Sequence, residues 1–325
     1  MSNVFFLTDD FKPQPSRLVP FNTDPNSIII GGGLGLLMHY KIVDDSGYGT
    51  ARTRQCVTKF SGSGGAEDIW GVALTPDDTL LFSSLPTGFV RAHNVANGQQ
   101  VASKHFDPAP DYIAFAGGHL FVAQGNTVTA FTTTLEPASG VPANYTHPTT
   151  ISGMAGRANT LVVTGQAGAP DETGAAILDA PTFHKKLFVL HPAGCGRPAL
   201  NRDGSLYTVM DTGTVSVGMV FILETATGHG EGVGFDAPYS QTFYSAAFVD
   251  GQFPSPSGEY MVIVSATVGD EYQTMLYSAL THGTQGPSFN ELCGACIAVS
   301  CDGTRLYAAG NTGALQVVGI NAPVG

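Results

Sequence analysis

Charge is scarce in this chain. Asp, Glu, Lys and Arg together make 12% of 325 residues, about half the usual share for a soluble protein. Its balance is acidic, at −12, and no basic run exceeds Lys185-Lys186. Nucleic acid and anionic membranes need clustered Lys and Arg to displace counterions, so both are excluded as partners. Long apolar runs are also missing. The richest stretch, "IIIGGGLGLLM" at 28–38, is too short and too Gly-rich to span a bilayer, so no membrane insertion is expected. The N-terminal "MSNVFFLTDD" lacks a basic segment and a long apolar core, which predicts cytoplasmic synthesis without a secretory signal.

Cysteine is sparse and odd in number: Cys56, Cys195, Cys293, Cys296 and Cys301. This is no disulfide framework. Cys293-x-x-Cys296 runs into a strand rather than opening a helix, and no fourth ligand follows Cys301, so the set reads as small buried residues. No segment shows a convincing helical period. Ala175–Ala180 comes nearest and suggests at most one turn inside a loop.

What the chain has in abundance is turn chemistry, with 41 Gly and 20 Pro. From Trp70 to His105 an alternating strand meets Thr75-Pro76-Asp77-Asp78, and a second strand follows. The turn Leu85-Pro86-Thr87-Gly88 leads to a third strand, and Asn97-Gly98 leads to a fourth. The same order recurs from Arg197 (turn Arg202-Asp203-Gly204) and from Ala295 (turn Cys301-Asp302-Gly303). Looser copies begin near 16, 110, 151 and 245. The second strands start at Ile28, Leu80, Leu120, Leu161, Leu206, Tyr260 and Leu306, 40 to 54 residues apart. That period fits a four-stranded propeller blade.

The expectation is therefore an all-β, seven-bladed β-propeller of four-stranded antiparallel blades forming one domain over 1–325. The blades are placed at 16–61, 68–106, 110–149, 150–194, 196–237, 242–290 and 294–320. The last copy has only three strands before the chain ends, and "NVFFLT" at 3–8 belongs to no copy. A ring left open would expose sheet edges. Val4–Leu7 is accordingly expected to pair beside Leu315–Ile320 as the outer strand of blade seven. Blade four is irregular, with a long loop before "KKLFVLH" as its third strand.

"LTPDDTLLFSS", "LNRDGSLYTVM" and "VSCDGTRLYAAG", with turns such as "VANGQQV" and "ETATGHG", resemble the YVTN/WD40-like family of β-propellers. The likeness covers most of the chain as architecture. A single Trp (Trp70) and no blade-closing Trp-Asp pair set it apart from WD40 repeats proper. The resemblance implies a fold and no particular activity.

Loops that enter the inner strands build one mouth of a propeller channel. There the sequence places Glu67, Asp68, Asp111, His147 and Arg197 as candidate binding residues. In propeller lactonases, which share the scaffold, an acidic residue at such a mouth is metal ligand or general base, with an Arg to hold an anionic substrate. No cofactor or metal is called for by spacing: the nine His are scattered, and His39, His93 and His191 lie at or near third strands. "GGGLG" at 31–35 lacks the Lys of a phosphate loop, Asp-Gly pairs read as turns, and no Gly-x-Ser-x-Gly is present.

Interface cores are depleted of charge. The neutral surface, with loops at 164–184 and 281–289 expected to be exposed, therefore points to a non-catalytic structural and protein-interaction module. A subunit of a virion, such as a phage tail or capsid protein, is the expected setting. The alternatives are a lactonase-like hydrolase with its site at the channel mouth, and a carbohydrate-binding propeller.

Overall fold

The computed structural model describes residues 9–10, 15–43, 53–60, 68–166, 168–169, 171–191, 194–210, 219–234, 241–249, 261–268, 271–278, 283–284, 296–309 and 314–319. Among them every regular element is a β-strand. Among the described residues no helix is long and apolar enough to cross a membrane.

The strands form seven four-stranded antiparallel sheets. Sheet one holds Pro15–Pro20, Ser27–Gly32, Leu37–Val43 and Thr53–Lys59. Sheet two holds Gly71–Leu74, Leu80–Ser84, Phe89–Asn94 and Gln100–His105. Sheet three holds Tyr112–Ala116, His119–Gln124, Thr127–Phe131 and Asn144–Thr146. Sheet four holds Ile151–Arg157, Thr160–Gly165, Gly174–Asp179 and His184–Leu190. Sheet five holds Ala199–Leu200, Leu206–Met210, Met219–Glu224 and Gly230–Gly234. Sheet six holds Gln241–Phe248, Met261–Val268, Glu271–Ser278 and Gly283–Thr284. Sheet seven holds Cys296–Val299, Arg305–Ala309 and Ala314–Gly319, and its fourth strand is Asp9–Asp10 from the other end of the chain.

The first strand of each sheet packs against the first strand of the next, and Cys296–Val299 returns to Pro15–Pro20. The architecture is a β-propeller.

Alternation on the second strands explains why these read as continuous apolar runs. Ile28 and Ile30 enter a core shared with Tyr307 and Val317 of sheet seven, while Ile29 between them faces Leu81 of sheet two. Leu161 and Val163 pack on Phe121 of sheet three, and Val162 packs on Tyr207 of sheet five. A strand sandwiched between two neighbours has no solvent face, so both its parities are apolar. Burying each such side chain contributes about 1.5–3 kcal/mol, which places the stability in the sheet-to-sheet cores.

The turns between first and second strands share one hydrogen-bond pattern. Asp77 Oδ1 accepts from the Thr75 hydroxyl at 2.6 Å and the Thr79 hydroxyl at 2.8 Å. Asp302 does the same with Ser300 and Thr304, at 2.6 and 2.8 Å. Asp203 accepts from the Ser205 amide and hydroxyl, at 2.9 and 2.6 Å. These side chains satisfy amides that the tight turn leaves unpaired, so three distant turns adopt one shape.

Two expectations are revised. Gly174–Asp179 is the third strand of sheet four, and Lys185 to Leu190 belong to its outer strand. Gly174 to Leu178 are all buried, so this segment, expected within an exposed loop at 164–184, is part of the core. A strand covered on both faces shows no alternation, which left "GAAILD" without a readable period. The N-terminal segment does supply the missing strand of sheet seven. The pairing described is Asp9 with Leu315 and Asp10 with Ala314, whereas Val4–Leu7 lies outside the described residues. Cys195, Cys296 and Cys301 carry free thiols.

Candidate functional site: the channel mouths

Arg17 lies near the start of the inner strand of sheet one. Its Nε donates to the carbonyl of Trp70, just before the inner strand of sheet two, at 2.6 Å. Its Nη1 donates to the Ser16 carbonyl at 2.7 Å. Burial pushes its pKa down to about 10; the positive charge of Arg197 pushes the same way, while Cys296 and Tyr112 oppose. Those three partners sit on sheets five, seven and three. Sheet seven adjoins sheet one, but sheets three and five do not, and in a ring side chains from such sheets approach one another only across the axis. This set therefore marks the channel mouth at which the inner strands begin.

Arg197 is held there by sheet four. Cys195 donates its amide to Gly165 O at 3.1 Å, and the Ser152 hydroxyl donates to Cys195 O. Thr164 Oγ1 donates to Gly196 O at 3.0 Å. A Cβ on Gly153 would come within 2.7 Å of the Arg197 Cα, so only glycine lets this segment pass. The guanidinium rests over the Tyr112 ring with its Cζ 5.8 Å from the centroid. Trp70, the single tryptophan, is 39% exposed at the same rim.

The other candidates have contacts elsewhere. Asp68 Oδ1 accepts from the Leu34 amide at 3.2 Å, supporting a hairpin tip where Leu34 has φ +50. Asp111 Oδ2 accepts from the Gly125 amide at 2.7 Å. His147 is fully buried at the end of the outer strand of sheet three, with Phe188 5.5 Å away and the Thr149 amide donating to its Nδ1 at 3.2 Å. Burial holds its pKa below the ordinary histidine value, against hydrogen bonding of the ring to the backbone of Thr149 and Gly174, which raises it. Glu67 lies outside the described residues. Arg197 thus lies over Tyr112 and close enough to Arg17 and Cys296 for their charges to interact, while Asp68 bonds to sheet one, Asp111 bonds within sheet three and His147 packs against sheet four. Sequence reasoning missed Arg17 and Tyr112. For Tyr112 the available signal was its place directly after Asp111 at the start of an inner strand.

The opposite mouth holds a cavity of about 290 Å³ lined by Leu74, Phe115, Arg157 and Arg202 among others. Arg202, on sheet five, donates from Nη1 to the Cys301 carbonyl on sheet seven at 3.3 Å. Four of the chain's eight arginines thus sit at the two ends of the channel. Among the described residues no group of three His, Cys, Asp or Glu is placed to hold a metal ion.

The fold and site define a β-propeller with arginines at both mouths of its channel. No protein-family profile matches the chain, and no curated protein matches its sequence. Solved structures do match. The RRP9 WD40 repeats superpose with a TM-score of 0.70 at 11% identity, covering 98% of each chain. U3-55K gives 0.71 at 11% identity, covering 97% of this chain and 98% of its own. The Cps50 (Swd1) β-propeller domain of Myceliophteria thermophila gives 0.67 at 15% identity, covering 95% of this chain and 96% of its own. At such identities the likeness is one of fold.

Proposed function

We propose that the chain is a seven-bladed propeller, one blade to each sheet within the boundaries expected from the repeats, and that it acts as a rigid, non-catalytic platform for protein partners. The observation that carries this reading is the state of those acid–base candidates that lie among the described residues. Asp68 and Asp111 accept from backbone amides, and His147 is buried away from the channel. A lactonase-like mechanism needs such groups directed at a substrate. The WD40 propellers that share the fold supply a supporting analogy, not an identity.

A virion setting and carbohydrate binding drew on composition alone, and nothing in the fold adds to either. Gentle purification from the source organism followed by cross-linking tests the platform reading. It expects a stable complex with a protein, through an interface above about 1,000 Å². A protein that runs as a monomer throughout and hydrolyses lactones would refute it.

A further inference from the structure

We propose that the mouth where the inner strands begin is a carboxylate site, at which Arg17 and Arg197 clasp an acidic side chain or C-terminal carboxylate of a partner protein. Arg17 stands where the inner strand of sheet one begins and reaches Trp70 O before sheet two, and Arg197, just before sheet five, crosses to the Tyr112 ring on sheet three, so both guanidinium groups lie at one mouth. Among the described residues no carboxylate pairs with either. The acidic residues nearest in sequence to the rim, Asp68 and Asp111, accept from the amides of Leu34 and Gly125 instead. Like charges brought together in a partly desolvated channel repel, and an inserted anion relieves that repulsion while accepting from their N–H groups.

The geometry suits a planar, forked acceptor. Arg17 is fixed by its bonds to Trp70 O and Ser16 O, and among the described residues its Nη2 makes no bond. Arg197 lies against the face of Tyr112, so its donors point outward along its own edge. Tyr112 and Trp70 add aromatic walls beside the charge. The chain's own net charge of −12 disfavours acidic partners everywhere else, so the positive mouth would also fix where such a partner docks.

The proposal rests on the platform reading only for the source of the carboxylate. Trp70 supplies the probe, because as the sole tryptophan it reports the rim by fluorescence. The folded chain is titrated with a short synthetic peptide ending in consecutive glutamates and a free C-terminus. Its amidated glutamine counterpart and citrate serve as comparisons. Saturable binding of the acidic peptide alone is expected, weakened at least about tenfold by Arg197→Gln and by added salt. Arg197 is exposed, so this variant keeps the fold, and Arg202→Gln at the far mouth should leave the affinity unchanged.

Equal binding of the glutamine peptide, or indifference to Arg197→Gln, would overturn the site. Citrate binding as tightly as the peptide would overturn the protein source. Binding seen only after Glu67→Gln would mean the chain fills its own site, and would overturn the proposal too. A native complex that forms in spite of any of these results would leave the platform reading standing.

Discussion

Asp78 of sheet two grips Thr23 of sheet one: Oδ2 of the carboxylate accepts from the Thr23 amide at 2.8 Å and from its hydroxyl at 2.6 Å. The other oxygen accepts from the Asn22 amide and Nδ2, at 2.9 and 2.8 Å. Asp78 occupies the turn position held by Gly204 and Gly303 in sheets five and seven, and has φ +58 where those have +75 and +73. An aspartate in the left-handed region carries a conformational cost that glycine avoids. Here the carboxylate offsets it by bonding two sheets together.

Asp78→Gly is therefore a test that leaves the turn intact. It removes the clamp and strands the Asn22 and Thr23 donors, and a loss of about 2–4 kcal/mol is expected. Asp78→Asn keeps one good acceptor and should lose less. Urea unfolding followed by circular dichroism reads both. A glycine variant as stable as the parent would show that the clamp contributes nothing.

Gly117 and Gly118 offer a controlled pair. Both have positive φ, +55 and +84. A Cβ at Gly117 would lie 2.6 Å from Pro181 N and 2.8 Å from Ala180 C, backbone of sheet four that cannot yield, whereas at Gly118 nothing lies within 4 Å. Gly118→Ala should cost only the strained φ, about 1 kcal/mol. Gly117→Ala should cost clearly more, because the two sheets must separate. Equal melting temperatures for the two variants would contradict the close approach of sheets three and four.

Acid should weaken the fold in two separate windows. Burial pushes His147 and His39 below the ordinary histidine value near 6.5. The unfolded chain then takes up protons first. Their contribution is complete above about pH 6.5 and is lost as pH falls below it, at up to about 1.4 kcal/mol per pH unit for each group, until the folded state also protonates. Hydrogen bonds from Thr75 and Thr79 hold the Asp77 carboxyl below its ordinary value. For Asp302, burial works against ionisation, but bonds from Ser300 and Thr304 overcome it. That second contribution persists down to the ordinary carboxylate value near 4 and is lost below it. Urea midpoints between pH 8 and 3 should fall in two steps, and His147→Gln should shrink the first. A flat profile between pH 7 and 5 would mean that His147 protonates as easily folded as unfolded.

Much of this arrangement is legible in local chemistry. Thr75-Pro76-Asp77 and Ser300-Cys301-Asp302 announce their turns because the bonds that shape them join residues two apart. The need for a fourth strand in sheet seven is likewise readable, since a three-stranded last copy leaves an edge. "GAAILD" was not legible because burial on both faces erases alternation. Arg17 was not, because "SRLVP" says nothing of an axis: its meeting with Arg197 depends on how many sheets lie between them. His147 looked like a loop residue, and its burial comes from Phe188 on another sheet. Local turns are written in neighbouring residues, while sites on an axis exist only once the ring is closed.

That closure is itself open to test. Asp9 and Asp10 pair with Leu315 and Ala314, and beneath them Leu315 and Val317 enter the core shared with Ile28 and Ile30 of sheet one. Without the N-terminal strand, Ala314–Gly319 is a bare edge beside the junction between the chain's two ends. Deletion through Asp10 should lower stability by about 2 kcal/mol or more, a fall of at least about 3 °C in melting temperature for a domain of this size. Main-chain bonds carry the pairing, so an Asp9→Asn, Asp10→Asn double variant should melt with the parent. A synthetic peptide spanning residues 1–14 should restore the truncated protein in a concentration-dependent way, because it binds the folded state. A truncated chain that melts with the parent, or that ignores the peptide, would show that the ring holds without its latch.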